Sequence, residues 1–279
     1  MTQRARPAIT YRSASGRPGT VGPLPTLPLA DVTAALRAAG CVFAEDEARL
    51  LLDSARSPAD LAIHVARRVA GEPLEHVLGW AEFCGLRIAV GPGVFVPRRR
   101  TELLVRLATP LLRPGDAVVE LCCGAAAVAT ALAATVPGLA LHAVDIEPAA
   151  VECARRNLVD GRVYEGDIDA PLPASLRGRV AVVVANAPYV PTNAIALMPP
   201  EARDHEPRAA LDGGTDGLGV QRRVAAAAPR WLAPGGCLLI ETSERQAPLT
   251  AAAVAASGLV PRVERSEELD GTAVVGVRP

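Results

Sequence analysis

Three short runs hold the residue types and spacings that could do chemistry. The first is Glu120-Leu121-Cys122-Cys123-Gly124, which ends an apolar stretch and leads into a helical one. A strand that turns tightly through small residues into a helix lets backbone N–H groups approach a ligand. The second is Asp145, twenty-one residues after Gly124. A carboxylate at that distance, at the end of a second strand, suits a ribose diol. The third is Asn186-Ala187-Pro188-Tyr189, directly after the β-branched run Val180–Ala185. Each has a plainer reading alone: an ordinary small-residue turn, an N-cap for a helix starting at Pro148, and an Asn-x-Pro turn. Taken together, in this order, they favour a ligand site.

The elements that must position them alternate. Strands are expected at Ala117–Leu121, Leu139–Val144, a short stretch ending at Tyr164, Val180–Ala185, Gly236–Ile240, Val260–Glu264 and Ala273–Val277. Helices are expected at Ala125–Ala134, Pro148–Asn157, Leu218–Leu232 and Gln246–Ser257. Repeated βα units predict an α/β fold with a mostly parallel, doubly wound sheet. Ligands of such sheets bind beyond the carboxyl ends of the strands, where all three runs lie. Before this region, Asp31–Gly40, Glu45–Ser54 and Ser57–Ala70 read as helices of a small module. Phe83, Leu86, Ile88, Val90, Val94 and Val96 read as a strand pair around Gly91-Pro92-Gly93. The expected organisation is a flexible tail over 1–24, a small helical domain over 25–75, a β-hairpin linker over 76–100 and the sheet domain over 101–279.

Composition excludes several classes. Half of the 279 residues are hydrophobic and 21% are charged, which excludes disorder along the whole length. Aromatics are only 3%, so Ala, Val and Leu must build the core. The formal net charge is −1 and every basic residue is Arg, so nothing global points to polyanion binding. Six cysteines, at 41, 84, 122, 123, 153 and 237, form no CxxC pair. They suggest neither a metal site nor a disulfide framework, and they fit a reducing, cytoplasmic setting. Leu121–Leu141 is uncharged and long enough to span a bilayer, but Gly124, Pro137 and Gly138 interrupt it, so no membrane segment is expected. Pro23, Pro25 and Pro28 break any apolar signal near the start.

The order Glu-Leu-x-x-Gly, an acidic residue after the second strand, then Asn-x-Pro-Tyr after the fourth, resembles class I S-adenosylmethionine-dependent methyltransferases. Glu72–Gly79, Glu82-Phe83, Val94–Arg98 with Thr101-Glu102, Asp204–Pro207, Ala210–Leu218 and Glu241–Gln246 are similar to the HemK/PrmC branch. Those enzymes methylate the glutamine N5 of a Gly-Gly-Gln loop in peptide chain release factors. The resemblance implies a Rossmann-like, seven-stranded sheet, S-adenosylmethionine as cofactor, S-adenosylhomocysteine as product, and a protein acceptor recognised through the helical domain. It places Glu120 near the cofactor's ammonium, Cys122 and Gly124 at its methionine end, Asp145 at the ribose and Asp167 at the adenine amine, with Ile146 and Asn186 as further cofactor-binding residues. Asn186 and the Ala187 carbonyl would accept hydrogen bonds from the substrate amide, with Pro188 fixing the backbone and Tyr189 packed over the planar group. Pro97, Arg98 and Glu102 would line the approach.

The chain departs from the family pattern at three places. Cys122 stands for the first glycine of the turn, Ala125-Ala126 for a Ser-Gly pair, and Ala187 for the first proline of Asn-Pro-Pro-Tyr. A Cβ where the backbone needs positive φ is expected to cost energy and to crowd the cofactor turn. Two rival readings follow: an amino-methyltransferase acting on nucleic acid or a small molecule, which neutral charge and few aromatics disfavour, and a non-catalytic module that kept the fold.

Overall fold

The computed structural model describes residues 28–279, so the expected flexible tail lies outside the described residues. The chain divides into two compact units at Ala70/Gly71.

The first unit holds α1 (Leu29–Ala38), α2 (Ala44–Ser54) and α3 (Pro58–Val69). Gly40, at φ +91°, ends α1 in the left-handed conformation that glycine takes without penalty. Ser57 accepts the Asp60 N–H at 3.1 Å, and Pro58 occupies the first turn of α3, where it loses no hydrogen bond. Leu36 and Leu51 are fully buried and Leu61 nearly so. Arg68 of α3 donates to Glu47 of α2 at 2.6 Å, a buried pair tying the two helices.

The second unit begins with α4 (Leu74–Leu78) and an antiparallel hairpin of β1 (Trp80–Phe83) and β2 (Leu86–Ala89). The expected strand pair around Gly91-Pro92-Gly93 is therefore displaced: Phe83 pairs with Leu86, and the turn is Cys84-Gly85. Both turn residues have positive φ (+51° and +73°), as a two-residue hairpin turn matched to strand twist requires. Val94 and Val96 are buried but lie outside any strand.

There follow α5 (Glu102–Ala108), β3 (Ala117–Leu121), α6 (Ala127–Thr135), β4 (Ala140–Asp145), α7 (Pro148–Asn157), β5 (Arg162–Glu165) and β6 (Val180–Ala185). The chain closes with α8 (Pro200–His205), α9 (Arg208–Leu211), α10 (Gly219–Trp231), β7 (Leu232–Thr242), α11 (Ala247–Ala256), β8 (Val260–Ser266) and β9 (Gly271–Val277). The seven-stranded sheet has the order β5-β4-β3-β6-β7-β9-β8; β3 to β7 are parallel, and β9 is antiparallel to β7 and β8. The expected doubly wound sheet is thus present. β7 starts earlier than its apolar run suggests, because Leu232 already pairs with Val180 ahead of a register shift.

Both faces of the sheet are covered. Val118, Val182, Val184 and Leu239 pack toward α5, α6 and the hairpin, while Val119, Val183, Leu238 and Ile240 pack toward α10. That is why β6 reads as an unbroken apolar run rather than an alternating one. β4 and β6 lie on opposite sides of β3, so the strand order reverses there and a crevice opens at the carboxyl ends of these strands.

Candidate active site

Strand register brings the three chemical runs together. Leu121 pairs with Val144 and with Ala185, so Cys122, Asp145 and Asn186 leave neighbouring strands side by side. The Asp145 carboxylate holds the turn after β3: Oδ2 accepts the Gly124 N–H at 2.7 Å and Oδ1 accepts the Glu147 N–H at 3.0 Å. It does not cap α7, whose first residues have no side-chain cap. Glu120 accepts the Ala129 N–H at 2.7 Å at the start of α6. Burial pushes the Glu120 carboxyl up to about 8, against the pull of the Ala129 and Val128 N–H groups. Burial likewise raises Asp145.

The turn carries real strain. Cys122, Gly124 and Ala126 have φ of +53°, +53° and +55°. Only glycine adopts this region freely; an L side chain pays about 1–2 kcal/mol there. The Cys122 and Ala126 departures therefore fall where a Cβ is disfavoured, yet a cavity lies open beside Cys122. Ala126→Gly is expected to raise stability by about 0.5–1 kcal/mol after the extra chain entropy of glycine. That moves Tm up by about 2 °C in a thermal melt; an unchanged or lower Tm would remove the strain argument. Burial pushes the Cys122 thiol up to about 12 and Cys123 well above its ordinary value, which disfavours the reactive thiolate at both.

Two cavities meet at the strand ends. One, of about 200 Å³, is lined by Glu120, Cys122, Gly124, Asp145, Ile146 and Asp167, among others. The second, of about 340 Å³, is lined by Arg98, Arg100, Ala187, Tyr189, Met198 and Glu206, among others. They share four walls: Phe95, Asn186, Pro188 and Ala210. Asn186 Nδ2 donates to Thr101 Oγ1 at 3.2 Å. Tyr189 Oη donates to Glu241 at 3.2 Å, and burial beside that carboxylate raises its phenol.

Most residues singled out in the sequence border one of these cavities. Pro97 faces the first and Arg98 the second, where Arg98 pairs with the buried Glu206. Asp167 borders the first cavity, and its Oδ2 is paired with Arg223 at 2.6 Å. Glu102 is a correction: its carboxylate accepts the Cys84 N–H at 3.1 Å and braces the hairpin turn, and it borders neither cavity. Its neighbour Thr101 stands there instead. Sequence reasoning also passed over Phe95, which borders both cavities, and Arg100, which borders the second and pairs with Glu241 at 3.4 Å.

Comparisons with known proteins give this geometry a family. The model of the methyltransferase small domain matches residues 85–198. A release factor glutamine methyltransferase of Streptomyces coelicolor is 44% identical over 188 residues, covering 65% of this chain and 66% of that protein. One from Mycolicibacterium smegmatis is 40% identical over 233 residues, covering 81% of this chain and 82% of that protein. The chain belongs to the release factor glutamine methyltransferase family. A methyltransferase from Pyrococcus furiosus, 17% identical, shares the fold with a TM-score of 0.53 over 78% of this chain and 98% of that one.

Class I membership makes S-adenosylmethionine the methyl donor, and the first cavity suits it. Glu120 offers a buried carboxylate to an ammonium group, and Asp145 keeps acceptor capacity beyond its two backbone donors for a ribose diol. Ile146, 54% exposed, adds an apolar side chain to the rim.

Proposed function

We propose that this protein methylates the side-chain amide nitrogen of a glutamine in a protein acceptor, specifically the Gly-Gly-Gln loop of a peptide chain release factor. The observation carrying this reading is the wall shared by the two cavities. A donor in one and a planar amide in the other would meet at Asn186 and Pro188. When bound, S-adenosylmethionine supplies an electrophilic sulfonium methyl. An amide nitrogen is a weak nucleophile, since its lone pair is delocalised, so the protein's task is alignment. Asn186 Oδ1 and the Ala187 carbonyl accept the amide's two N–H bonds and favour the charge that develops on nitrogen. Pro188 fixes the backbone after the Ala187 carbonyl, and Tyr189 packs beside the planar group. The helical unit ending at Ala70 is assigned to acceptor recognition. A release factor acceptor places the enzyme in the cytoplasm, in keeping with six free cysteines.

The test is transfer of labelled methyl from S-adenosylmethionine to a purified release factor, with the modified residue mapped by mass spectrometry. Label on the loop glutamine, absent from a Gln→Ala loop variant, supports the reading. Label on nucleic acid or on free amines instead overturns it.

Cofactor binding should depend on pH through Glu120. Its carboxyl titrates at about 8, so near neutrality it is largely protonated and must lose that proton to meet an ammonium. The ligand's amino group keeps its charge below about 7.5. Affinity for S-adenosylmethionine should rise about tenfold from pH 6 to pH 7, with proton release on binding. Calorimetry in buffers of different ionisation enthalpy measures both; a flat profile would place the ammonium elsewhere. The sign for folding is opposite. A carboxyl raised above its unfolded value weakens the fold as pH rises from about 4.5 toward 8.

A further inference from the structure

Two arginines border the second cavity with a buried carboxylate behind each. Arg98 Nη2 donates to Glu206 Oε1, which also accepts the Val96 N–H at 3.2 Å. Arg100 Nε lies 3.4 Å from Glu241 Oε1. The two carboxylate side chains are 0% and 3% exposed, whereas those of Arg98 and Arg100 are 33% and 46% exposed. The Arg98 guanidinium also stands 5.1 Å from the centre of the Phe95 ring, a cation–π contact with a wall that both cavities share.

Neither pair is two-pronged. A guanidinium and a carboxylate often satisfy each other through two parallel N–H···O bonds. Here each arginine meets one oxygen, and among the described residues nothing donates to Glu206 Oε2 or Glu241 Oε2. A buried carboxylate oxygen left in this way is costly. The arginines, in turn, keep most of their donors. A guanidinium carries five N–H groups, and among the described residues each of these two engages a single carboxylate oxygen. The buried anions therefore hold the cations in place, and the remaining N–H groups are left for an occupant of the cavity.

The other charges of the cavity say what that occupant is. Glu75, Glu201 and Glu206 line it too, so its carboxylates outnumber its arginines. A phosphate or a free carboxylate gains no net attraction from such a lining. A neutral oxygen meets no such repulsion, and an N–H···O bond from a charged donor to it is a strong one. Peptide carbonyls beside glycine fit best, because no side chain shields the main chain there.

We propose that Arg98 and Arg100 bind the acceptor's main chain, each donating to a peptide carbonyl beside the target glutamine. This rests on the reading that the acceptor is a Gly-Gly-Gln loop. It makes the substrate a peptide segment rather than a free amide.

Arg98→Lys and Arg100→Lys keep the charge against each buried carboxylate but give up the planar fork. Arg99→Lys is the control, since Arg99 is exposed and borders neither cavity. The probe is a purified release factor carrying the Gln→Ala loop change, titrated by calorimetry with S-adenosylhomocysteine present. Arg98→Lys and Arg100→Lys should each bind it about tenfold more weakly. Arg99→Lys should match the wild type, and all three variants should hold S-adenosylmethionine within about twofold of it. In transfer to the unaltered release factor, the two test variants should raise KM more than they lower kcat. Their loss relative to wild type should be the same at about 50 and about 300 mM salt, because a carbonyl carries no charge to screen. Wild-type affinity for the probe in both test variants overturns the inference. So does a loss that disappears at high salt, which would mark an anionic partner. If the wild type itself methylates no release factor, the proposed function fails and takes this inference with it; if it does, and the variants bind as it does, the inference alone fails.

Discussion

Replacing Asn186 by alanine should lower kcat for methyl transfer about 10²- to 10³-fold while leaving S-adenosylmethionine binding within a few-fold of wild type. The magnitude follows from removing one preorganised partner from a developing charge. The division between kcat and binding follows from position. Asn186 borders both cavities and donates to Thr101, but the groups assigned to the cofactor's ammonium and ribose are Glu120 and Asp145. Single-turnover transfer to a release factor gives the rate, and calorimetry gives the affinity. Asn186→Asp is the sharper variant, since it keeps Oδ1 and replaces the Nδ2 donor with an oxygen. That oxygen would face the Thr101 oxygen, where the Nδ2–H now donates. Equal activity of either variant and wild type would end the view that this side chain orients the acceptor. Loss of cofactor binding together with activity would make it part of the donor site instead.

What the chain discloses without coordinates follows the range of the interactions involved. Val180–Ala185 and Pro148–Asn157 are legible to the residue, because one is a continuous β-branched run and the other opens on proline. The hairpin is misplaced because Gly91-Pro92-Gly93 is an overt turn signal and Cys84-Gly85 a poor one. Cysteine rarely takes positive φ, and here Glu102 holds the Cys84 N–H to compensate. The lining of the first cavity is legible because its residues sit at fixed offsets from strand ends. The support of the acceptor half is not. Thr101, Arg100 and Glu241 come from a short helical turn before β3 and from the end of β7, and only the sheet register sets them beside Asn186. No local spacing encodes that meeting.

The Ala210–Leu218 segment resembles the family in sequence without a local reason, and the structure supplies one that Gly217 can test. This segment straps the Asn186–Tyr189 loop: Val190 N–H donates to Leu211 O at 3.0 Å, Gly213 N–H to Val190 O at 2.8 Å, and Thr192 N–H to Gly214 O at 3.0 Å. Gly217 has φ +74°, and a Cβ built there would stand 2.4 Å from the Tyr189 carbonyl oxygen and 2.5 Å from Gln246 Nε2. Gly217→Ala therefore meets two costs, a left-handed backbone for an L residue and a clash with main chain that cannot simply rotate away. Together they should destabilise the fold by about 3 kcal/mol, or about 10 °C in Tm. The clash also pushes on the carbonyl of Tyr189, next to the groups that must align the acceptor, so kcat should fall at least about tenfold even where the variant is folded. Gly178→Ala is the control, since its φ of +67° carries the backbone cost with nothing within 4 Å of the new Cβ. It should lose about 1–2 kcal/mol and keep its kcat. If both variants lose the same stability and the same activity, the strap does not position the loop; if only Gly217→Ala loses activity, the glycine is there to let the two loops touch.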